Sequence, residues 1–138
     1  TLAAEFADPN GDVAAKLLEP SVLYTPAVLA LLDVVEVHGL AHITGGGLPG
    51  NVPRVLPDGC AAVIDTSTWT PPPVFTWLSE ASGADRGELF RTFNMGIGFV
   101  AVVPQAQATG AISVLEAAGK PAAVIGRIEP GARGVTLV

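Results

Sequence analysis

With 138 residues, 49% of them hydrophobic and 14% charged, against roughly 25% charged in ordinary soluble domains, the chain is one domain's worth and too apolar to be intrinsically disordered. A mean hydropathy of +0.50 raises a membrane reading, but the longest apolar runs, Pro26–Leu32 and Gly96–Val103, fall far short of the about 20 residues of a spanning helix. The net charge of −6, with Lys and Arg scattered singly, argues against a nucleic-acid partner.

The sequence begins with Thr1 rather than Met and carries no Lys/Arg-led signal segment, so the expectation is a piece of a longer, cytoplasmic protein. Residues Thr1–Asp12 read as a polar lead-in, and Val13–Leu18 as a short helix stopped before Pro20. Thr25–Pro26 predicts a helix start, with a capping hydroxyl and then proline, and Val28, Leu29, Leu31, Leu32 and Val35 as its core face. Val37–Thr44 alternates as a strand, with Glu36, His38, Leu40, His42 and Thr44 on one face and Gly39, Ala41 and Ile43 on the other. It runs into Gly45–Gly46–Gly47 and a short helix, about Leu48–Val55. Ala61–Asp65 reads as an apolar strand beside Cys60, a small buried hydrophobe; this lone cysteine excludes an internal disulfide and suits the reducing cytosol.

Pro71–Ser79 predicts a proline-opened helix with Phe75 and Leu78 inward. Asp85 and Glu88 resemble a capping box opening a helix to about Arg91. Gly96–Val103 reads as a buried strand, and Gln105–Ala118 as a helix with Ala108, Ile112 and Leu115 inward, stopped by Gly119. Ala122–Ile128 and Val135–Val138 close the chain as strands. Helices and about five strands without strict alternation predict an α+β fold, a mixed β-sheet covered by helices.

Two uncharged stretches carry the candidate chemistry. In the first, Ala41-His42-Ile43-Thr44-Gly45-Gly46-Gly47, glycines let the backbone approach a ligand, and free amides at a helix start can hold phosphate or carboxylate. The competing reading is a tight turn with no ligand. Gly45, Gly47 and Gly50 also satisfy G-x-G-x-x-G with Asp65 about 20 residues beyond, but Pro53 and Pro57 break the helix that a dinucleotide loop needs. His42, beside the glycines, could hold a phosphate or polarise a carbonyl oxygen, or be a structural histidine bonded to backbone. His38 and His42 lie about 13 Å apart along a strand, too far for one zinc, and no third ligand suggests itself, so no metal site is expected.

In the second stretch, Arg91-Thr92-Phe93-Asn94-Met95-Gly96-Ile97-Gly98, Arg91 and Asn94 are candidate donors, with Arg91 alternatively paired to Glu88. Gly96 and Gly98 leave the backbone bare on one strand face, where a ligand or a neighbouring domain would fit. Trp69, Pro71–Pro73, Phe75 and Trp77 suggest a packed corner rather than a peptide groove.

Together with Leu17-Leu18-Glu19-Pro20, Asn51-Val52-Pro53-Arg54-Val55-Leu56-Pro57 and Ala62-Val63-Ile64-Asp65, these stretches resemble, in order, the C-terminal domain of the phosphoribosylformylglycinamidine cyclo-ligases, the aminoimidazole ribonucleotide (AIR) synthetases. The resemblance implies an ATP- and Mg2+-dependent ligase of purine biosynthesis that closes the imidazole ring of formylglycinamidine ribonucleotide, with release of ADP and phosphate. It implies a two-domain homodimer with the active site between domains. Residues 1–138 would be most of the C-terminal domain, inactive without the N-terminal ATP-binding domain. By position, His42 would be catalytic; Thr44, Gly45, Gly46 and Gly47 would meet phosphate or the formyl-derived oxygen; and Asn51, Arg91, Asn94 and Gly96 would be further binding residues. The family's two basic residues after Leu-Glu-Pro are replaced by Val22 and Pro26. That departure keeps open another enzyme of the superfamily, of the formylglycinamidine ribonucleotide synthetase, selenophosphate synthetase, thiamin-monophosphate kinase or hydrogenase maturation type, or a non-catalytic module. The uncharged stretches predict exposed apolar or glycine-bare surface near Thr44–Gly50 and Asn94–Gly98.

Overall fold

A computed structural model describes residues 18–138. The predicted lead-in and the helix over Val13–Leu18 fall outside the described residues, except Leu18, which lies in a turn.

Helix α1, Thr25–Leu32, starts one residue earlier than a Thr25 cap would place it: Tyr24 is the N-cap, makes no side-chain cap bond, and Thr25 and Pro26 occupy the first turn. Pro26 is tolerated there because first-turn N–H groups have no partner within the helix. Ala27, Leu31 and Val35 form the buried stripe, while Leu29 and Leu32 face out. The buried stripe recurs at every fourth residue and is rotated from the expected face towards Ala27, where it meets the next core partner.

That partner is α5, Ala108–Ala117, preceded by a 3-10 turn at Gln105–Gln107. Its buried residue is Ala111, with Val114 and Leu115 packed beside it, so the inward face is rotated from the expected Ala108, Ile112 and Leu115. Gly119, at φ 74, follows the helix end, where a left-handed residue lets the chain turn away.

Between these helices and the main core stands a two-stranded antiparallel ribbon. Strand β1, Gly39–His42, pairs with β3, Phe99–Val102, in the register Gly39↔Val102 to His42↔Phe99. Ala41, Ile43 and Val100 join the main core, and Ala101 and Val103 pack with Leu31, Val35 and Ala111. The predicted alternation of Ala41 and Ile43 against His42 is thus observed. The predicted strand over Gly96–Val103 starts later, because Asn94–Ile97 closes a tight turn by Ile97 N–H to Asn94 O at 3.0 Å, with Met95 at φ 52 and Gly96 at φ 96. Two consecutive left-handed residues reverse the chain, so Gly96 cannot lie on the strand.

The remaining strands make a separate mixed sheet in the order Gly126–Pro130 (β4), Cys60–Ile64 (β2), Val135–Leu137 (β5), so the α+β architecture holds with its strands divided between two sheets. Central β2, Cys60–Ile64, pairs antiparallel with β4, Gly126–Pro130, and parallel with β5, Val135–Leu137. Helix α2, Gly47–Asn51, passes into a 3-10 turn at Val52–Val55, matching the short helix expected over Leu48–Val55. The change of winding falls at Val52, one residue before Pro53, which has no N–H to continue an α-helix. Helix α3, Pro73–Ser82, ends at Gly83, and α4, Arg86–Thr92, opens with the Asp85 carboxylate accepting from the Glu88 N–H at 2.8 Å, one half of the expected box. Phe90 of α4, 2% exposed, packs in the main core with Leu48, Val52, Ile64 and Met95. Burial of one such aromatic contributes about 1.5–3 kcal/mol.

Candidate functional site

After β1, Ile43 returns to the core while Thr44 and Gly45 are exposed. The three glycines then do three different things. Gly45 has open space where a Cβ would stand. Gly46, at φ 97, is the left-handed residue that starts α2. Gly47, at φ 58, is buried, and a Cβ there would collide with the Phe90 carbonyl and lie 2.7 Å from that of Phe93. The triplet exceeds the needs of a turn because one glycine permits helix packing and another leaves bare backbone at the surface.

Asn51 secures this loop. Its side chain is 5% exposed, and its Nδ2 donates to the carbonyls of Gly47 at 2.8 Å and of Thr44 and Gly45 at 3.3 Å. Thr44 Oγ1 in turn donates to Asn51 Oδ1 at 3.5 Å. Asn51 therefore shapes the loop from beneath. The Gly47 N–H is engaged with Thr44 O, and Pro49 has none, so α2 presents little of a helix terminus. The N–H groups of Gly45 and Gly46 donate to nothing among the described residues. They are the free donors this loop offers an anion or a polarised oxygen, and the Thr44 hydroxyl joins them by exchanging its long bond to Asn51 Oδ1.

A cleft of about 250 Å³ lies between the loop and the segment joining α4 to β3. Thr44 and Gly45 line one side, and Phe75, Thr92, Phe93 and Asn94 the other. The Phe75 and Phe93 rings stand 5.9 Å apart, half-buried against the main core, and form its apolar wall. Leu48, by contrast, is buried. Asn94 Oδ1 accepts from the Gly96 N–H at 2.9 Å, which fixes the side chain over its own turn. A larger hollow of about 440 Å³, between the end of α1 and the start of α5, contains none of the candidate residues.

Thr44, Gly45 and Asn94 thus meet in one cleft, with Asn51 beneath. Arg91 is exposed on α4, does not line the cleft and makes no ion pair with Glu88 among the described residues. The bare faces of Gly96 and Gly98 are filled from within the chain rather than by a ligand or another domain: a Cβ on Gly96 would lie 2.6 Å from Pro72 Cδ, and one on Gly98 would collide with the Tyr24 hydroxyl. Trp69 Nε1 donates to Met95 O at 2.8 Å, so the aromatic-proline segment is the expected packed corner, closed on the Asn94–Ile97 turn.

His42 stands on the other face of the ribbon from Ile43, exposed, two residues before Thr44. It makes no hydrogen bond among the described residues, so the backbone-bonded structural role is not observed. Its neighbours are rings: Tyr24 edge-on at 5.9 Å and Phe99 stacked at 6.0 Å, themselves 5.4 Å apart. Burial raises the Tyr24 phenol above its ordinary value. His38 instead contacts Glu36 at 2.9 Å. Sequence reasoning missed Tyr24 and Phe99. Gly98, a glycine whose missing side chain implies a close neighbour, was the available signal for Tyr24; Phe99 is found only from the β1–β3 register.

Residues 2–138 match the family described as AIR synthase related protein, C-terminal domain, and the chain belongs to that family. Among curated proteins, the phosphoribosylformylglycinamidine cyclo-ligase of Myxococcus xanthus is 48% identical over 122 residues, 88% of this chain and 35% of that protein. The enzymes of the same name from Aromatoleum aromaticum and Nitrosococcus oceani are 50% and 51% identical over 86% and 83% of this chain, and 34% and 32% of theirs. The chain thus spans about a third of the length of these relatives. Among solved structures, E. coli HypE, a hydrogenase maturation protein, superposes with a TM-score of 0.64 at 26% identity, covering 84% of this chain and 36% of that one. Among the described residues, no helix is long and apolar enough to cross a membrane.

Proposed function

We propose that this chain is the substrate-facing C-terminal part of a cytoplasmic, ATP-dependent cyclo-ligase that closes the imidazole ring of formylglycinamidine ribonucleotide to aminoimidazole ribonucleotide. The observation that carries the reading is the Thr44–Gly46 loop, held by Asn51 with unengaged N–H groups at an aromatic-walled cleft, in a sequence about half identical to proteins named for that reaction. An N-terminal domain of the same protein supplies the nucleotide site, and the whole acts as a homodimer.

The cleft residues fit the phosphate end of ATP or of the ribonucleotide, through the Thr44 hydroxyl and the Gly45 and Gly46 amides. They do not fit Mg2+: no carboxylate lines the cleft, and among the described residues no three of His, Cys, Asp and Glu come together. Its ligands come from the rest of the protein or from phosphate oxygens. ATP, when bound, supplies the phosphoryl group that makes the formyl oxygen a leaving group. This chain's part is to bind and orient: the loop amides hold negative oxygen, Asn94 and the Phe75–Phe93 wall bound the cleft, and His42 holds or moves a proton at its imidazole nitrogens. Gly47, Asn51 and Gly96 shape the loop and its facing turn, and Arg91 is a peripheral cation.

Ring closure by the complete protein tests this reading, with His42→Ala slowing it by about a hundredfold or more while the fold is kept. Wild-type turnover in that variant removes His42 from the reaction. The alternative, another ATP-dependent member of the superfamily or a non-catalytic module, is favoured by the apolar Val22 and Pro26, and a complete wild-type protein unable to close the ring would establish it.

A further inference from the structure

We infer that Tyr24 is a positioning residue for His42: seated in the notch left by Gly98, its ring fixes with Phe99 the direction in which the exposed imidazole points. The inference rests on the reading of His42 as the reacting group. An exposed histidine with no hydrogen bond would sample several rotamers. This one stands against two rings that themselves lie 5.4 Å apart, with Tyr24 meeting it edge-on at 63° and Phe99 stacked at 26°. Phe99 is also its cross-strand partner in the ribbon, so one wall is fixed by the β1–β3 register.

The other wall is held from outside the ribbon. Tyr24 is the N-cap of α1, yet its side chain makes no cap bond. It reaches across to β3, where the missing side chain of Gly98 makes room for its hydroxyl. Any other residue at position 98 would displace the phenol ring. Helix α1 packs against α5 by Leu31 and Ala111, so Tyr24 approaches the ribbon from a fixed base. Gly98 thus serves the site through Tyr24 rather than by contact with a ligand. Ring packing orients the imidazole without engaging either nitrogen, leaving both for a proton or a substrate oxygen.

The chain has two histidines, so proton NMR resolves them, and His38, paired with Glu36, is the internal control. Tyr24→Leu is expected to move the His42 ring resonances towards those of a free imidazole and to leave those of His38 in place. Gly98→Ala, with Tyr24 intact, is expected to move the same resonances, and Tyr24→Phe to leave them near the wild-type positions. In the complete protein, Tyr24→Leu is expected to lower kcat for ring closure about ten- to hundredfold with KM little changed, and Tyr24→Phe to restore it. His42 resonances that ignore Tyr24→Leu or Gly98→Ala in folded protein overturn the inference. So does unchanged kcat in Tyr24→Leu when His42→Ala is slow. Should His42→Ala itself retain full turnover, the reading of His42 fails first and the positioning role falls with it.

Discussion

The Asn51 amide donates to the Gly47 carbonyl at 2.8 Å and reaches those of Thr44 and Gly45 as well, so one buried side chain gathers three loop carbonyls. Asn51→Ala leaves these groups without their partner and should lower stability by about 1–3 kcal/mol, read as a lower urea midpoint. Asn51→Asp keeps the shape but turns a carboxylate towards three carbonyl oxygens. It should be the worse variant at neutral pH and regain part of the loss on acidification, when the protonated carboxyl becomes a donor. An Asp variant no less stable than the Ala variant at neutral pH would contradict the arrangement.

Gly45 and Gly47 should respond oppositely to alanine. At Gly47 the added methyl group meets the Phe90 and Phe93 carbonyls of the buried α4 end, and the backbone is left-handed at φ 58. Gly47→Ala should cost more than about 3 kcal/mol or prevent folding. At Gly45 nothing lies within 4 Å of a built Cβ, so Gly45→Ala should fold within about 0.5 kcal/mol of wild type. It then becomes the clean probe of the cleft, since its methyl group extends beside the loop amides. Equal melting temperatures for the two variants would sink this division of roles.

Much of this site is legible in the sequence because it is local. Ala41 and Ile43 alternate with His42, and the glycine triplet follows at once, so period and composition place the strand, its faces and the loop. What is not legible depends on partners distant in the chain. Gly96-Ile97-Gly98 is uncharged and runs straight into Phe99, so it reads as strand; the turn there rests on Met95 at φ 52, a conformation its own propensity disfavours and that Trp69 holds from outside. Gly98 signals a close neighbour but not which one. The division into two sheets likewise depends on β1 choosing β3, and on β2 choosing the last two strands.

Trp69 is the outside support for that turn. Its indole N–H meets Met95 O at 2.8 Å, and its ring stands edge-on to Phe90 at 6.2 Å. Trp69→Phe keeps an aromatic ring but removes the donor, and should destabilise by about 1–2 kcal/mol in chemical denaturation. The loss should concentrate at the turn, with faster amide exchange at Ile97, whose N–H closes it onto Asn94. Unchanged exchange at Ile97 would show that the turn holds without the indole.

Tyr24 is the chain's single tyrosine, so the ultraviolet band of its phenolate reports on it alone. Burial raises its pKa above the ordinary phenol value of about 10. In the unfolded chain the phenol ionises near that ordinary value, while in the native chain it still holds its proton. Between the two, the unfolded state binds fewer protons, so stability falls as pH rises. The contribution is fully present below the unfolded pKa and is lost as pH climbs through the native one. The native inflection should lie above that measured in concentrated urea, and Tyr24→Phe should remove this part of the alkaline loss of stability. A native phenol that titrates at or below its unfolded value would place Tyr24 in water, away from Gly98 and His42.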